Sequence, residues 1–236
     1  MGVLQLFDTF YVNGSADGAP MPGDIYWVPV PTVDEVSRVL DVCRVDPRVH
    51  DAFEYRILDV QRQHFTERTD RLPLKLLQLE ATEELMISKA KRRPAVVLYG
   101  SCVGSLGGAS TTEQRHAKHL LKYCYVVAPM FSTARPDRPT TFFPKLVARI
   151  RCLMYPQFAC LPKLGANEGK PGEIVRLDRL IVTHLGRGCA RAGFALQPEV
   201  FQMIKDQLVL VTSGVTPDAL KEVEEIVCDS LPEALR

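Results

Sequence analysis

Arg176 and Asp178, two residues apart, are the side chains best suited to acid–base chemistry. They lie in residues 173–182, which alternate like a β-strand. Residues i and i+2 of a strand point to the same face, about 7 Å apart. The adjacent cation would keep Asp178 ionised, as a general base requires, and Arg176 would bind phosphate through two parallel hydrogen bonds. The spacing predicts a phosphate-directed acid–base pair, with an ordinary surface ion pair as the alternative.

Positive charge is concentrated in two further places. Lys91, Arg92 and Arg93 form a cationic corner just before a buried run, 95–99. Residues 131–151 are also basic, because only Asp137 opposes five cations, which are Arg135, Arg138, Lys145, Arg149 and Arg151. Such segments are typical of surfaces that follow a nucleic-acid backbone, although basic turns are also common on ordinary protein surfaces.

Sequence motifs for metal ions, nucleotides and serine nucleophiles are incomplete. His116 and His119 have only Glu113 at a suitable spacing, so we expect no metal site. The seven cysteines contain no C-x-x-C pair, which disfavours a zinc module or a disulfide framework. Residues 100–105 are rich in glycine but lack the G-K-[S/T] of a phosphate loop and the G-x-S-x-G of a hydrolase. We therefore expect no cofactor.

The elements that position these residues are predicted to be mainly strands, followed by helices. Apolar runs and alternation predict strands at 25–30, 95–99, 123–130, 146–154 and 173–182. Pro198 and Pro217 stand at first helical positions and predict helices at 199–208 and from about 217 to 228. The pattern indicates an α+β chain with a mainly β body and C-terminal helices.

Residues 31–90, between the first two strands, show a helical pattern. Thr32 and Glu35 form a capping signature, and apolar side chains recur at helical spacing over 33–43 and again over 53–61. Residues 73–89 are rich in helix formers. We therefore expect one domain, 1–236, that carries a helical insertion at 31–90 between strands 1 and 2.

The composition excludes several broad classes of protein. With 46% hydrophobic and 24% charged residues among 236, the chain is not a disordered one. A net charge of +1 argues against a generally basic protein that coats DNA. No apolar run approaches roughly 20 residues, and from the first residues, MGVLQLFD, we expect no export signal. We expect a cytoplasmic protein without a membrane partner.

Four segments resemble the strands of PemK/MazF-like toxins, in the family's order. They are MPGDIYWV at 21–28, KRRPAVVL at 91–98, VVAPMFS at 126–132 and GEIVRLDRL at 172–180. The second contains the family's Arg-Pro-x-x-Val signature, and the fourth is similar to the Val-Arg-x-Asp-Gln strand of the Kid/PemK branch. Residues 31–90 have no counterpart in this resemblance.

The resemblance implies a CcdB/PemK-like fold: a bent antiparallel sheet or small barrel with a C-terminal helix, usually in a homodimer. It also implies metal-independent cleavage of single-stranded RNA, in which the ribose 2′-hydroxyl attacks the adjacent phosphate and leaves a 2′,3′-cyclic phosphate. Such a toxin is expected to have an antitoxin protein as a partner.

The resemblance further assigns site residues. Asp178 and Arg176 match the base and acid of the Kid/PemK branch, and Arg93 matches a catalytic candidate of the MazF branch. The residues expected to bind RNA are Phe131, Ser132, Thr133, Arg135, Arg138, Lys91 and Arg92. The family's Thr is replaced by Phe131, and a second Thr by Gly172. A catalytically degenerate module that binds nucleic acid or protein, or a CcdB-like poison of a protein target, is therefore the alternative.

Overall fold

The computed structural model describes most of the chain in two compact units. The described residues are 2–14, 18–33, 36–44, 46, 48, 53–66, 83–100, 124–134, 142–166, 171–186 and 188–228. The first unit contains Met1–Val30 and Arg92–Arg236, and the second contains Pro31–Lys91. The candidate catalytic residues all belong to the first unit.

Eleven strands and three α-helices are present in the described residues. The strands are β1 (Tyr11–Asn13), β2 (Asp24–Pro31), β3 (Arg38–Arg44), β4 (Phe53–Asp59), β5 (Leu85–Ile87), β6 (Ala90–Gly100), β7 (Tyr125–Ser132), β8 (Phe158–Pro162), β9 (Pro171–Arg176), β10 (Ile181–Thr183) and β11 (Ala190–Leu196). The helices are α1 (Pro144–Arg151), α2 (Pro198–Ser213) and α3 (Asp218–Cys228).

The large sheet curls at β7. Its order is β1-β11-β2-β6-β7-β9-β8, and β10 also pairs with β7. The first half of β7 pairs with β10, where Val127 lies opposite Ile181, and its second half pairs with β9, where Phe131 lies opposite Ile174. A 3₁₀ turn at Leu177–Arg179 separates the two partner strands. The expected α+β class with a mainly antiparallel, curled sheet is confirmed.

Helix α2 packs its apolar face into the core beside this sheet. Pro198 starts the helix, and Gly214, with a φ of 71°, ends it in the left-handed conformation that glycine adopts without strain. Val200, Ile204 and Leu208 recur every four residues and are buried. The predicted helices at 199–208 and 217–228 are therefore confirmed as α2 and α3. In the part of the chain described, no helix is both long and apolar enough to span a bilayer.

Two predictions for the first unit are corrected. Residues 146–154, expected to form a strand, belong largely to α1, which Pro144 begins and which buries Val147 and Ile150 at helical spacing. The strand expected at 173–182 is interrupted by the 3₁₀ turn and forms β9 and β10 separately.

In the second unit, the expectation of a helical insertion is wrong for most of the described residues. Strand β3 lies between β4 and β5, and both pairings are antiparallel. Phe53, Tyr55 and Ile57 alternate along β4, and such aromatic and β-branched side chains favour an extended backbone. The helix expected at 73–89 lies largely outside the described residues, and its end, Leu85–Ile87, is β5.

Candidate functional site

Two arginines and two phenylalanines from four strands form an alternating stack, which we call the arginine–aromatic stack. The guanidinium carbon of Arg93 lies 4.2 Å from the ring centre of Phe131. The guanidinium carbon of Arg176 lies 5.7 Å from the same ring and 4.8 Å from that of Phe158. Cations over aromatic faces at these distances attract the ring, so the stack favours these positions of both guanidinium groups.

The register of the sheet brings the members of the stack together. Strands β6 and β7 are antiparallel, and their register places Arg93 opposite Phe131, two residues beyond the last directly paired positions. Phe158 in β8 lies opposite Arg176 in β9. The buried side chain of Gln207, from α2, donates a hydrogen bond of 3.1 Å to the carbonyl oxygen of Phe158. Helix α2 thus holds the start of β8, where the ring of Phe158 contacts Arg176.

Asp178 is bound to Arg176 through both carboxylate oxygens. Nε of Arg176 donates to Oδ1 at 2.7 Å, and Nη2 donates to Oδ2 at 2.5 Å. The side chain of Arg176 is 17% exposed, and that of Asp178 is 33% exposed. Partial burial acts to raise the pKa of Asp178, but the hydrogen bonds and charge of Arg176 outweigh it and leave the pKa below its usual value. Asp178 is therefore ionised at neutral pH.

The predicted adjacency of Arg176 and Asp178 is present, although its expected basis was different. Arg176 is the last residue of β9, whereas Asp178 lies in the 3₁₀ turn rather than on the strand. The turn, not the alternation of a strand, directs the carboxylate to the guanidinium. The structure therefore brings Arg93 and Arg176, 83 residues apart in the sequence, to the ring of Phe131, and it pairs Asp178 with Arg176.

Glu173 is a buried carboxyl group that the sequence reasoning missed. It lies in β9 opposite both Ser132 and Leu161, and it is 8% exposed. Burial raises the pKa of Glu173 to about 7, against the opposing effects of Arg93 and Lys163. An acidic residue inside an otherwise apolar strand was the available signal, since such residues are rarely buried without a partner.

Close packing between β8 and β9 explains the glycine at position 172. A Cβ atom there would overlap the backbone nitrogen of Lys163, so even alanine would clash. The backbone N–H and the hydroxyl of Thr133 donate to the carbonyl oxygen of Gly172 at 2.9 and 3.3 Å, and the hydroxyl of Ser132 is shared between the carbonyl oxygens of Ala134, at 2.9 Å, and Gly172, at 3.4 Å. These two residues, which we expected to bind RNA, thus help to hold the end of β7 against β9.

The remaining basic residues are more dispersed. Lys91 and Arg92 are exposed on β6. Burial raises the pKa of Cys189, and the charge of Arg92 opposes that rise, so Arg92 lies near a cysteine that is outside the arginine–aromatic stack. Arg135 and Arg138 lie outside the described residues.

The metal-binding candidates are not described. His116, His119 and Glu113 all fall within the undescribed residues 101–123. Among the residues that are described, no group of three or more His, Cys, Asp or Glu side chains is arranged to hold a metal ion.

Comparisons with known proteins identify no family for this chain. No protein-family model matches it, and neither does any curated protein. The geometry of the residues is therefore the basis for a functional assignment.

Proposed function

We propose that the chain is a PemK/MazF-like, metal-independent endoribonuclease with a CcdB/PemK-like fold that cleaves single-stranded RNA. The observation that carries the proposal is that Arg93 and Arg176 both contact the ring of Phe131, while Arg176 also pairs with Asp178. A guanidinium group paired with an ionised carboxylate, with a second guanidinium group on the same aromatic ring, suits a reaction that moves a proton and builds negative charge on a phosphate.

Each of the three residues has a role in the proposed reaction. Asp178 accepts the proton of the ribose 2′-hydroxyl, whose oxygen attacks the adjacent phosphorus. The bond to the 5′-oxygen breaks, so the products are a 2′,3′-cyclic phosphate and a 5′-hydroxyl end. Arg93 and Arg176 stabilise the additional charge on the phosphoryl oxygens, and the leaving 5′-oxygen takes a proton from a water molecule that the charge of Arg176 polarises, while Asp178 returns its proton to solvent.

RNA binding without cleavage is the second candidate, and one observation favours it. Both oxygens of Asp178 are bonded to Arg176, and its pKa lies below the usual value. A carboxylate in that state is a weaker proton acceptor than a free one. The stack alone provides cations and aromatic rings, which are the groups that bind single-stranded nucleic acid.

The proposal also includes the partners that the family resemblance implies, which are a second copy of the chain and an antitoxin protein. A homodimer predicts twice the monomer mass of 26.4 kDa in sedimentation equilibrium. A monomer across the micromolar range would remove the dimer from the proposal.

The cleavage test uses purified protein, a short single-stranded RNA and EDTA. We expect discrete fragments with 2′,3′-cyclic phosphate ends even in the presence of EDTA, because no step of the proposed reaction requires a metal ion. Asp178→Asn keeps the shape of the side chain and removes the proton acceptor, so single-turnover cleavage should fall by about 100-fold or more.

The matched control is Asp218→Asn, which removes the carboxylate of an exposed ion pair with Lys221 on α3. It should cleave RNA at the parent rate. Intact but gel-shifted RNA with the parent protein would support the binding module instead, and equal cleavage by Asp178→Asn and the parent would refute the role of Asp178.

A further inference from the structure

Strand β4 is an exposed, apolar edge of the small sheet in the second unit. The order of this sheet is β4-β3-β5, so within the described residues β4 pairs with β3 alone. Phe53, Tyr55 and Ile57 lie on one face of the sheet and are 48%, 63% and 54% exposed. The pairing of Arg38–Arg44 with Phe53–Asp59 is continuous, without a bulge. Proteins commonly protect a sheet edge with a proline, a bulge or a very short strand, and β4 has none of these.

The register identifies the backbone groups that β4 directs to its open edge. The N–H of Val60 donates to the carbonyl oxygen of Ser37 at 2.8 Å, directly beyond the pair of Arg38 and Asp59. Ser37 and Val60 are thus a hydrogen-bonded pair, and such pairs alternate with non-hydrogen-bonded pairs along an antiparallel ladder. The alternation directs the N–H and C=O groups of every second residue of β4 away from β3, and these residues are Phe53, Tyr55, Ile57 and Asp59. A further antiparallel strand could bond to these groups.

The charges of β4 select one register for pairing with a second copy of the same strand. Backbone pairing requires the outward-directed residues of the two strands to lie opposite one another. A register centred on Glu54 or on Arg56 would place two like charges opposite each other, which is unfavourable. A register centred on Tyr55 instead places Glu54 of each copy opposite Arg56 of the other, and it pairs Phe53 with Ile57 on the apolar face. A register centred on Ile57 would form no pair of opposite charges between the exposed side chains of Glu54 and Arg56.

We propose that β4 is the contact surface for a second copy of this chain, which pairs with it antiparallel in the register centred on Tyr55. The two small sheets then form one six-stranded sheet about a two-fold axis. Because each copy uses the same edge, the contact closes at two copies, and the opposite edge, β5, is only three residues long. This inference rests on the proposed function only in taking a second copy as the partner, since residues 31–90 have no counterpart in the family resemblance.

The test measures self-association of the full chain by sedimentation equilibrium across the micromolar range. The parent should approach twice its monomer mass. Glu54→Arg places like charges opposite each other at two positions, so the dissociation constant of the dimer should rise about tenfold or more. Arg56→Glu should have the same effect for the same reason. The matched control, Glu222→Arg, makes the same change of charge at an exposed position of α3 and should associate like the parent.

An equimolar mixture of Glu54→Arg and Arg56→Glu tests the register directly. In a mixed pair, the two introduced charges lie opposite each other and have opposite signs. The two unchanged residues, Arg56 of one chain and Glu54 of the other, also lie opposite each other. The mixture should therefore associate about as tightly as the parent, although neither variant does so alone. Because recovery requires both strands to be intact, it also shows that the substitutions have not unfolded the small sheet.

The outcomes separate this surface from the proposed function. Parent-like association of Glu54→Arg alone, or a mixture that associates no better than either variant, would overturn the surface and leave the proposed homodimer to another face. A monomeric parent would overturn both, and would leave the β4 edge to a strand of a different protein. Species larger than a dimer that grow with concentration would refute the two-fold closure. A parent that dimerises through β4 without cleaving RNA would refute the ribonuclease and support the surface.

Discussion

The buried carboxyl of Glu173 predicts a stability effect that can be measured without any RNA. Its pKa is about 7 in the folded protein, against 4.5 for an unperturbed glutamate. Between these values the folded chain holds a proton that the unfolded chain has lost. The free energy of unfolding contributed by this group is therefore constant below pH 4.5, falls as the pH rises to 7, and is constant again above it. At about 1.4 kcal/mol per pH unit, the total loss is about 3 kcal/mol.

The assay is urea denaturation of the parent and Glu173→Gln at pH 5 and pH 8. Because glutamine resembles the protonated carboxyl, the two proteins should be similarly stable at pH 5. At pH 8 the variant should be the more stable by about 3 kcal/mol, since it contains no ionised group to bury. Glu199→Gln, exposed in the first turn of α2, should show the parent's pH dependence. A stability difference between Glu173→Gln and the parent that is the same at both pH values would refute this reasoning.

Three further substitutions test the geometry of the site. Arg176→Lys keeps the charge but loses the two parallel hydrogen bonds that a guanidinium group makes to Asp178 or to phosphate, so single-turnover cleavage should fall by about 100-fold. Cleavage at the parent rate would show that these two hydrogen bonds are not needed. Gly172→Ala should destabilise the fold by about 1–3 kcal/mol in urea denaturation, because its Cβ would meet the backbone of Lys163; an unchanged midpoint would contradict the close approach. Phe131→Leu removes a ring that contacts two guanidinium groups and should cost about 1 kcal/mol per contact in the same assay, with loss of RNA affinity; unchanged stability and affinity would show that the stack has no energetic role.

The sequence predicted those parts of the fold that depend on local signals. Pro198 and Pro217 marked the starts of the C-terminal helices, and the apolar run at 95–99 lies within β6. Arg176 and Asp178 are so close in the chain that a strand or a turn could place them side by side. Such features can be predicted from neighbouring residues alone, because they do not depend on the structure of the rest of the chain.

The errors occurred where long-range pairing decides the structure. Val39, Leu40 and Cys43 fit the spacing of a helix, but the same stretch forms a strand with seven residues paired to β4. In a sheet, the backbone hydrogen bonds are made with a partner strand, and the spacing of apolar residues within one segment gives no information about which strand that is. Glu173 was missed for a similar reason, because its neighbours Arg93 and Lys163 come from separate parts of the chain.

The bidentate bond between Arg176 and Asp178 sets a condition on the proposed chemistry. Asp178 cannot accept a proton efficiently while both of its oxygens are bonded to a guanidinium. A phosphate, like a carboxylate, can accept two parallel hydrogen bonds from a guanidinium group, so a bound RNA phosphate competes with Asp178 for Arg176. As Arg176 turns toward the phosphate, Asp178 loses the contact that lowers its pKa and becomes a stronger base. The proposed mechanism therefore requires the substrate to activate the base, and without RNA the ion pair holds the site in a less reactive state.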